Sequence, residues 1–128
     1  IQYDEHDAVL FAKKIANVRA EGTTLQERIT NTDGASTALT VFDATAGQYN
    51  HITMIIAYNS SATDGYVDIR DGTGGSVMAT IPLPATGGAV CPFLIPLKQP
   101  TANTALAYDV SGALTTVYLT FIGYKSST

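Results

Sequence analysis

The chain has 128 residues, 45% of them hydrophobic and only 14% charged, with a net charge of −4. That length fits one domain burying roughly two-thirds of the surface its unfolded chain would expose, a core large enough to need no staples. Seven scattered cations argue against the clustered basic footprint that nucleic acid requires, no apolar run approaches the ~20 residues that span a bilayer, and a lone cysteine, Cys91, rules out an intrachain disulfide framework. The expectation is a soluble protein made in a cytosol, with no nucleic-acid or membrane partner. Its surface relies on Thr, Ser, Asn and Gln, which suits packing against other protein.

In chain order, residues 1–22 come first and carry no β alternation. Asp7 is a candidate N-cap, Phe11, Ile15 and Val18 fall at helical spacing, and Gly22 is a stop, so this segment reads as a short helix or an extended arm. Residues 23–128 read as a β-sandwich domain. From "TLQERIT" (24–30) onward the apolar period is two: Leu25, Glu27 and Ile29 share one face, with Glu27 marring the pattern. "TALTVFD" (37–43), "HITMIIAYN" (51–59), "GYVDIRD" (65–71), "SVMATIP" (76–82), "AVCPFLIPL" (89–97), "TALAYDV" (104–110) and "LTTVYLTFIGY" (114–124) follow. Turn chemistry separates them at Asp33-Gly34, 59–65, 71–75, 86–88 and Ser111-Gly112. About eight short, evenly spaced strands predict an all-β fold, an antiparallel β-sandwich or jelly roll, with a small barrel also open.

Three of these segments bear on surfaces. "ITMIIAY" is apolar on both sides, with Ile52, Met54 and Ile56 expected on one and Ile55 and Ala57 on the other, which places it centrally or beneath a subunit contact. "VCPFLIP" contains Pro92, which cannot donate to a ladder and belongs at an edge or bulge. In the closing strand Val117, Leu119 and Phe121 face one way, while Thr116, Tyr118, Thr120, Ile122 and Tyr124 form an amphipathic second face suited to a surface that a neighbour partly dries. The candidate subunit contacts are therefore Leu10, Phe11, Ile15 and Val18 on the arm, with Phe93, Tyr118, Ile122 and Tyr124 on the strands. Apolar residues on a terminal segment need a partner surface, and the arm is expected to dock on a neighbouring subunit.

Candidate chemistry is sparse. His6 and His51 have no metal-ligand or hydrolase spacing, Ser36 and Ser111 lack a nucleophile elbow, and "GTGGS" (72–76) lacks a phosphate-loop lysine and precedes a strand. Cys91 has no nearby cation to activate it. In "DGYVDIRDG" (64–72), Asp64, Asp68 and Asp71 could offer oxygen ligands to calcium, and the stretch looks like the "Y-x-x-x-x-R-D-G" of CUB domains, yet those usually carry disulfides, and a plain hairpin is the simpler reading. Asn59-Ser60-Ser61 is a formal glycosylation sequon. No catalytic, cofactor-binding or metal site is assigned, and the protein is not expected to be an enzyme.

The second half supplies a resemblance. "GYVDIRDG", "VMATIP", the Gly87-Gly88 turn, the proline-punctuated "AVCPFLIP", "TANTAL" and the closing "TTVYLTFIGYK" together resemble small virion proteins encoded among the head genes of tailed bacteriophages, over residues 64–125. The resemblance implies a capsid decoration or cement protein: a β-sandwich or jelly roll, often a homotrimer, seated on the virion's outer shell between subunits of the major capsid protein. Such a protein needs a rigid sheet domain with adherent faces and no active site. A phage tail or fibre component would share the composition, while a carbohydrate-binding module would need a platform of exposed aromatics.

Overall fold

A computed structural model describes residues 24–32, 38–111 and 114–128, so the N-terminal arm and its Leu10, Phe11, Ile15 and Val18 lie outside the described residues, as do His6, Ser36 and the Asp33-Gly34 turn. The described residues form eight strands: β1 Thr24–Asn31, β2 Leu39–Phe42, β3 Tyr49–Asn59, β4 Gly65–Asp71, β5 Val77–Leu83, β6 Gly87–Lys98, β7 Leu106–Val110 and β8 Val117–Ser126. Each corresponds to a segment expected from period and turn chemistry. The ends differ by up to three residues: β2 is trimmed at both ends, β6 extends to Gly87 and Lys98, and β8 begins only at Val117 but runs on through Lys125 and Ser126, which continue the ladder to β3.

Two four-stranded sheets face each other, ordered β1-β8-β3-β6 and β2-β7-β4-β5. The first strand pairs with the last, the second with the seventh, the third with the sixth and the fourth with the fifth, all antiparallel. The chain is thus one long hairpin rolled across both sheets, the jelly-roll arrangement. Alternation along β8 explains why it joins this core: Val117, Leu119 and Phe121 are fully buried while Tyr118, Thr120 and Ile122 are half-buried on the other side. Opposite them stand Val67, Ile69, Leu83, Leu106 and Tyr108 of the second sheet, also closed to solvent. Burying each such side chain stabilises the fold by about 1.5–3 kcal/mol. Glu27 shares its face with Leu25 and Ile29 opposite Phe121, but β1 is an edge strand and the carboxylate reaches water past that edge.

Polar residues close the ends of the sandwich. At one end Asn59, fully buried, donates through Nδ2 to the carbonyls of Thr63 (2.8 Å), Leu83 (3.2 Å) and Pro84 (3.3 Å) and accepts from Ser61. Its amide has no access for a glycan in the folded domain, so the sequon there is formal only. At the other end Asn50 donates to Gln99 (2.8 Å), and Gln99 in turn donates to Asp71 (2.8 Å). Lys125, which pairs with Asn50 across the strands, is buried and donates to the Asp43 carbonyl and to Thr45 (2.7 Å), tying the β2–β3 connection to the end of β8. Desolvation pushes the Lys125 ammonium below its ordinary pKa, with the Asp43 carboxylate acting in the opposite direction.

One expectation of facing is corrected. Ile52 does not share a side with Met54 and Ile56; it is fully buried with Ile55 and Ala57. Both pairings of β3 shift between Ile52 and Met54, leaving Thr53 as an extra residue whose hydroxyl donates to the Ile122 carbonyl at 3.0 Å. A single inserted residue reverses the alternation, so Ile52 turns inward.

Candidate interaction face

The same irregularity builds the most distinctive surface of the molecule. Opposite the single residue Thr53, β6 advances from Pro92 to Leu97, so Phe93, Leu94, Ile95 and Pro96 protrude from the ladder as a bulged tip. Pro92 thus sits both on an edge strand and at a bulge, because neither proline flanking the tip can donate to a ladder. Phe93 turns back and packs against the core, half-buried, while Leu94 is 100% exposed and Ile95 83% exposed. Apolar side chains this open are rarely neighbours on a surface that meets only water.

Beside the tip lies the outer side of the β1-β8-β3-β6 sheet, whose rows follow from the register. Tyr58 stands between Gly88 and Tyr118, with Thr30 beyond; Ile56 between Val90 and Thr120, with Arg28 beyond; Met54 between Pro92 and Ile122, with Gln26 beyond. A last row holds Lys98, His51 and Tyr124. Val90 (63%), Tyr58 (45%) and Ile56 (40%) are the most open of the large apolar groups on this side. The aromatic groups are held in place: Tyr118 lies 6.4 Å from the Tyr58 ring with the Arg28 guanidinium 5.4 Å from its centroid, and Tyr124 stacks on His51 at 4.6 Å with 7° between planes. No Asp or Glu occupies these rows, whereas Arg28, His51 and Lys98 do.

The opposite outer side is of another kind. On the β2-β7-β4-β5 sheet Asp68 pairs directly with Asp109, and Arg70 neutralises both, donating to Asp109 at 2.5 Å and standing 4.0 Å from Asp68. Thr80 donates to Asp68 at 2.6 Å, and a second Arg70 nitrogen donates to the Gly75 carbonyl at 3.0 Å. Leu39, Tyr66 and Val77 are exposed large apolar residues at this sheet's paired positions.

Of the strand residues read as contacts, the structure brings Tyr118, Ile122 and Tyr124 onto one outer side, while Phe93 belongs to the tip's inner flank. Tyr58, Val90, Leu94 and Ile95 were not singled out in the sequence, and Ile56 was named only within the two-sided apolar strand. The one available signal was the apolar run enclosed by Pro92 and Pro96, too long for an ordinary two-residue alternation.

The chemical candidates are dispersed. Asp64 accepts from the Ala85 amide (2.8 Å), Asp68 from Thr80, and Asp71 from Gln99 and Thr101 (2.6 Å), so the three carboxylates serve three separate structural contacts. Among the described residues no group of three or more His, Cys, Asp or Glu side chains is placed to hold a metal ion. Ser111 accepts from the Tyr66 amide as a turn residue, "GTGGS" closes the β4–β5 hairpin with Gly72 at φ +91°, and Cys91 lies half-buried against the core. Comparison with protein-family models finds no match to this chain, and comparison with curated proteins finds none either.

Proposed function

We propose that this protein is a non-catalytic structural component of a tailed-phage virion, a capsid decoration protein that seats between major capsid subunits and stabilises the head. The observation that carries the reading is the segregation of the two outer sides. One sheet neutralises its charges internally around Arg70. The other presents Ile56, Tyr58, Val90 and Tyr118, with Leu94 and Ile95 beside them. A wall of tyrosine and aliphatic groups with one protruding tip is the composition of an interface centre rather than of a catalytic cleft. The jelly roll is also a fold used by viral shells, a supporting analogy of fold alone.

In this reading the protein is a homotrimer or occupies a three-fold-related position, and its location is the capsid surface after synthesis in the host cytoplasm. Its partners are the major capsid protein and further copies of itself. The experiment is co-sedimentation with intact capsids, followed by quantification of bound copies. Saturable binding at hundreds of copies per particle is expected. Recovery only with detached tails would assign it to the tail instead, and absence from every virion fraction would refute the proposal.

A further inference from the structure

The outer side of the β1-β8-β3-β6 sheet presents apolar area together with the cations Arg28 and Lys98, and its rows hold no carboxylate. A partner that covers it must therefore be apolar and bear acids. We propose that the occupant is residues 4–18 of a second copy of this chain, an inference that rests on the reading of the protein as a self-assembling shell component. That segment carries Asp4, Glu5 and Asp7 at its start, then Leu10 and Phe11, the pair Lys13 and Lys14, and Ile15 and Val18, for a net charge of −1 with His6 neutral. Its three carboxylates fall within four positions at one end, apart from the two lysines and opposite in sign to the cations of the face, and its four large apolar residues match the apolar rows. A second copy's sheet face cannot substitute for it: pairing two such faces brings together two sets of cations with no carboxylate between them.

Length agrees with this assignment. The rows from Tyr118 to Tyr124 extend over about 20 Å at ~3.3 Å per strand residue, a span that fifteen residues can cover whatever regular conformation they take, since even the compact rise of ~1.5 Å per residue gives about 22 Å. Residues 19–23 remain as a connector reaching up to about 17 Å at ~3.3–3.6 Å per residue. The connector departs from Thr24 on β1, an edge strand, and so starts at the border of its own sheet. Arm and face are different surfaces, so the contact is head-to-tail. Head-to-tail contacts close into rings such as trimers, whereas self-complementary ones give two-fold dimers.

Disulfide trapping between full-length chains tests the inference. In a Cys91→Ser background, one chain carries Phe11→Cys and a second carries Ile56→Cys; the two are mixed, oxidised and resolved on a denaturing gel. A doubly substituted chain is examined in parallel, and Val90→Cys replaces Ile56→Cys if the latter lowers the melting temperature. The expected result is a disulfide joining the two different chains in the mixture, reduced when Arg28→Glu is added to the receiving chain. An intrachain disulfide in the doubly substituted protein with none between mixed chains overturns the exchange, since the face would then be covered by its own arm. Absence of any disulfide with either face position overturns the arm as occupant. If light scattering still reports a trimer in that case, the assembly reading survives without the arm; a monomer that binds no capsid would remove both.

Discussion

Replacing Leu94 and Ile95 together by Ser alters the tip without touching the core. Both side chains project into solvent, Leu94 fully and Ile95 almost so, and the neighbouring Phe93 alone packs inward. Surface substitutions of this kind change folding stability by no more than about 0.5 kcal/mol. If the tip seats on the capsid as proposed, the same groups become buried there, and burying a Leu or Ile contributes about 1.5–3 kcal/mol each. The double variant therefore forfeits about 3–6 kcal/mol of binding, a loss of roughly 10²–10⁴ in affinity at 1.4 kcal/mol per decade. The assay pairs a thermal melt with a capsid co-sedimentation isotherm. An unchanged melting temperature with binding reduced by at least two decades is expected. Capsid binding equal to that of the parent refutes the tip as an anchor, and a melting temperature that falls by several degrees refutes the claim that the tip is independent of the core.

Three further outcomes are expected. Gly123→Ala drives a Cβ into the His51 carbonyl oxygen, a backbone clash within β8, and should destabilise by more than about 3 kcal/mol or abolish folding, read by denaturant titration. Because burial lowers the Lys125 pKa in the folded state, the unfolded chain holds more protons in the window between that lowered value and the unfolded value of about 10.4. The Lys125 contribution to stability should therefore rise with pH through this window, and Lys125→Met should flatten the slope; an identical slope in the variant would count against it. Melting in EDTA should match melting in calcium, since Asp64, Asp68 and Asp71 each satisfy a different local donor, and a calcium-specific recovery of several degrees would mean that they converge on an ion.

Much of this molecule was readable from local pattern. Alternation of period two with Gly, Asn and Asp turns predicts all eight strands, because side-chain direction in a strand depends only on the residue's own position in the pleat. Pro92 marks an edge or bulge for an equally local reason, its missing amide hydrogen. Tyr118, Ile122 and Tyr124 share a side in sequence and in structure because no irregularity interrupts β8 between them and β1. The tertiary structure decided whatever depends on the partner strand. Thr53 is an extra residue only relative to β8, and residues 93–96 are extra only relative to β3, so the inward turn of Ile52 and the outward run of Leu94 and Ile95 have no signature in any one strand alone. Pairing of the first strand with the last joins residues about a hundred positions apart, and that non-local contact, not periodicity, determines which side of the sheet faces the core and which faces outward.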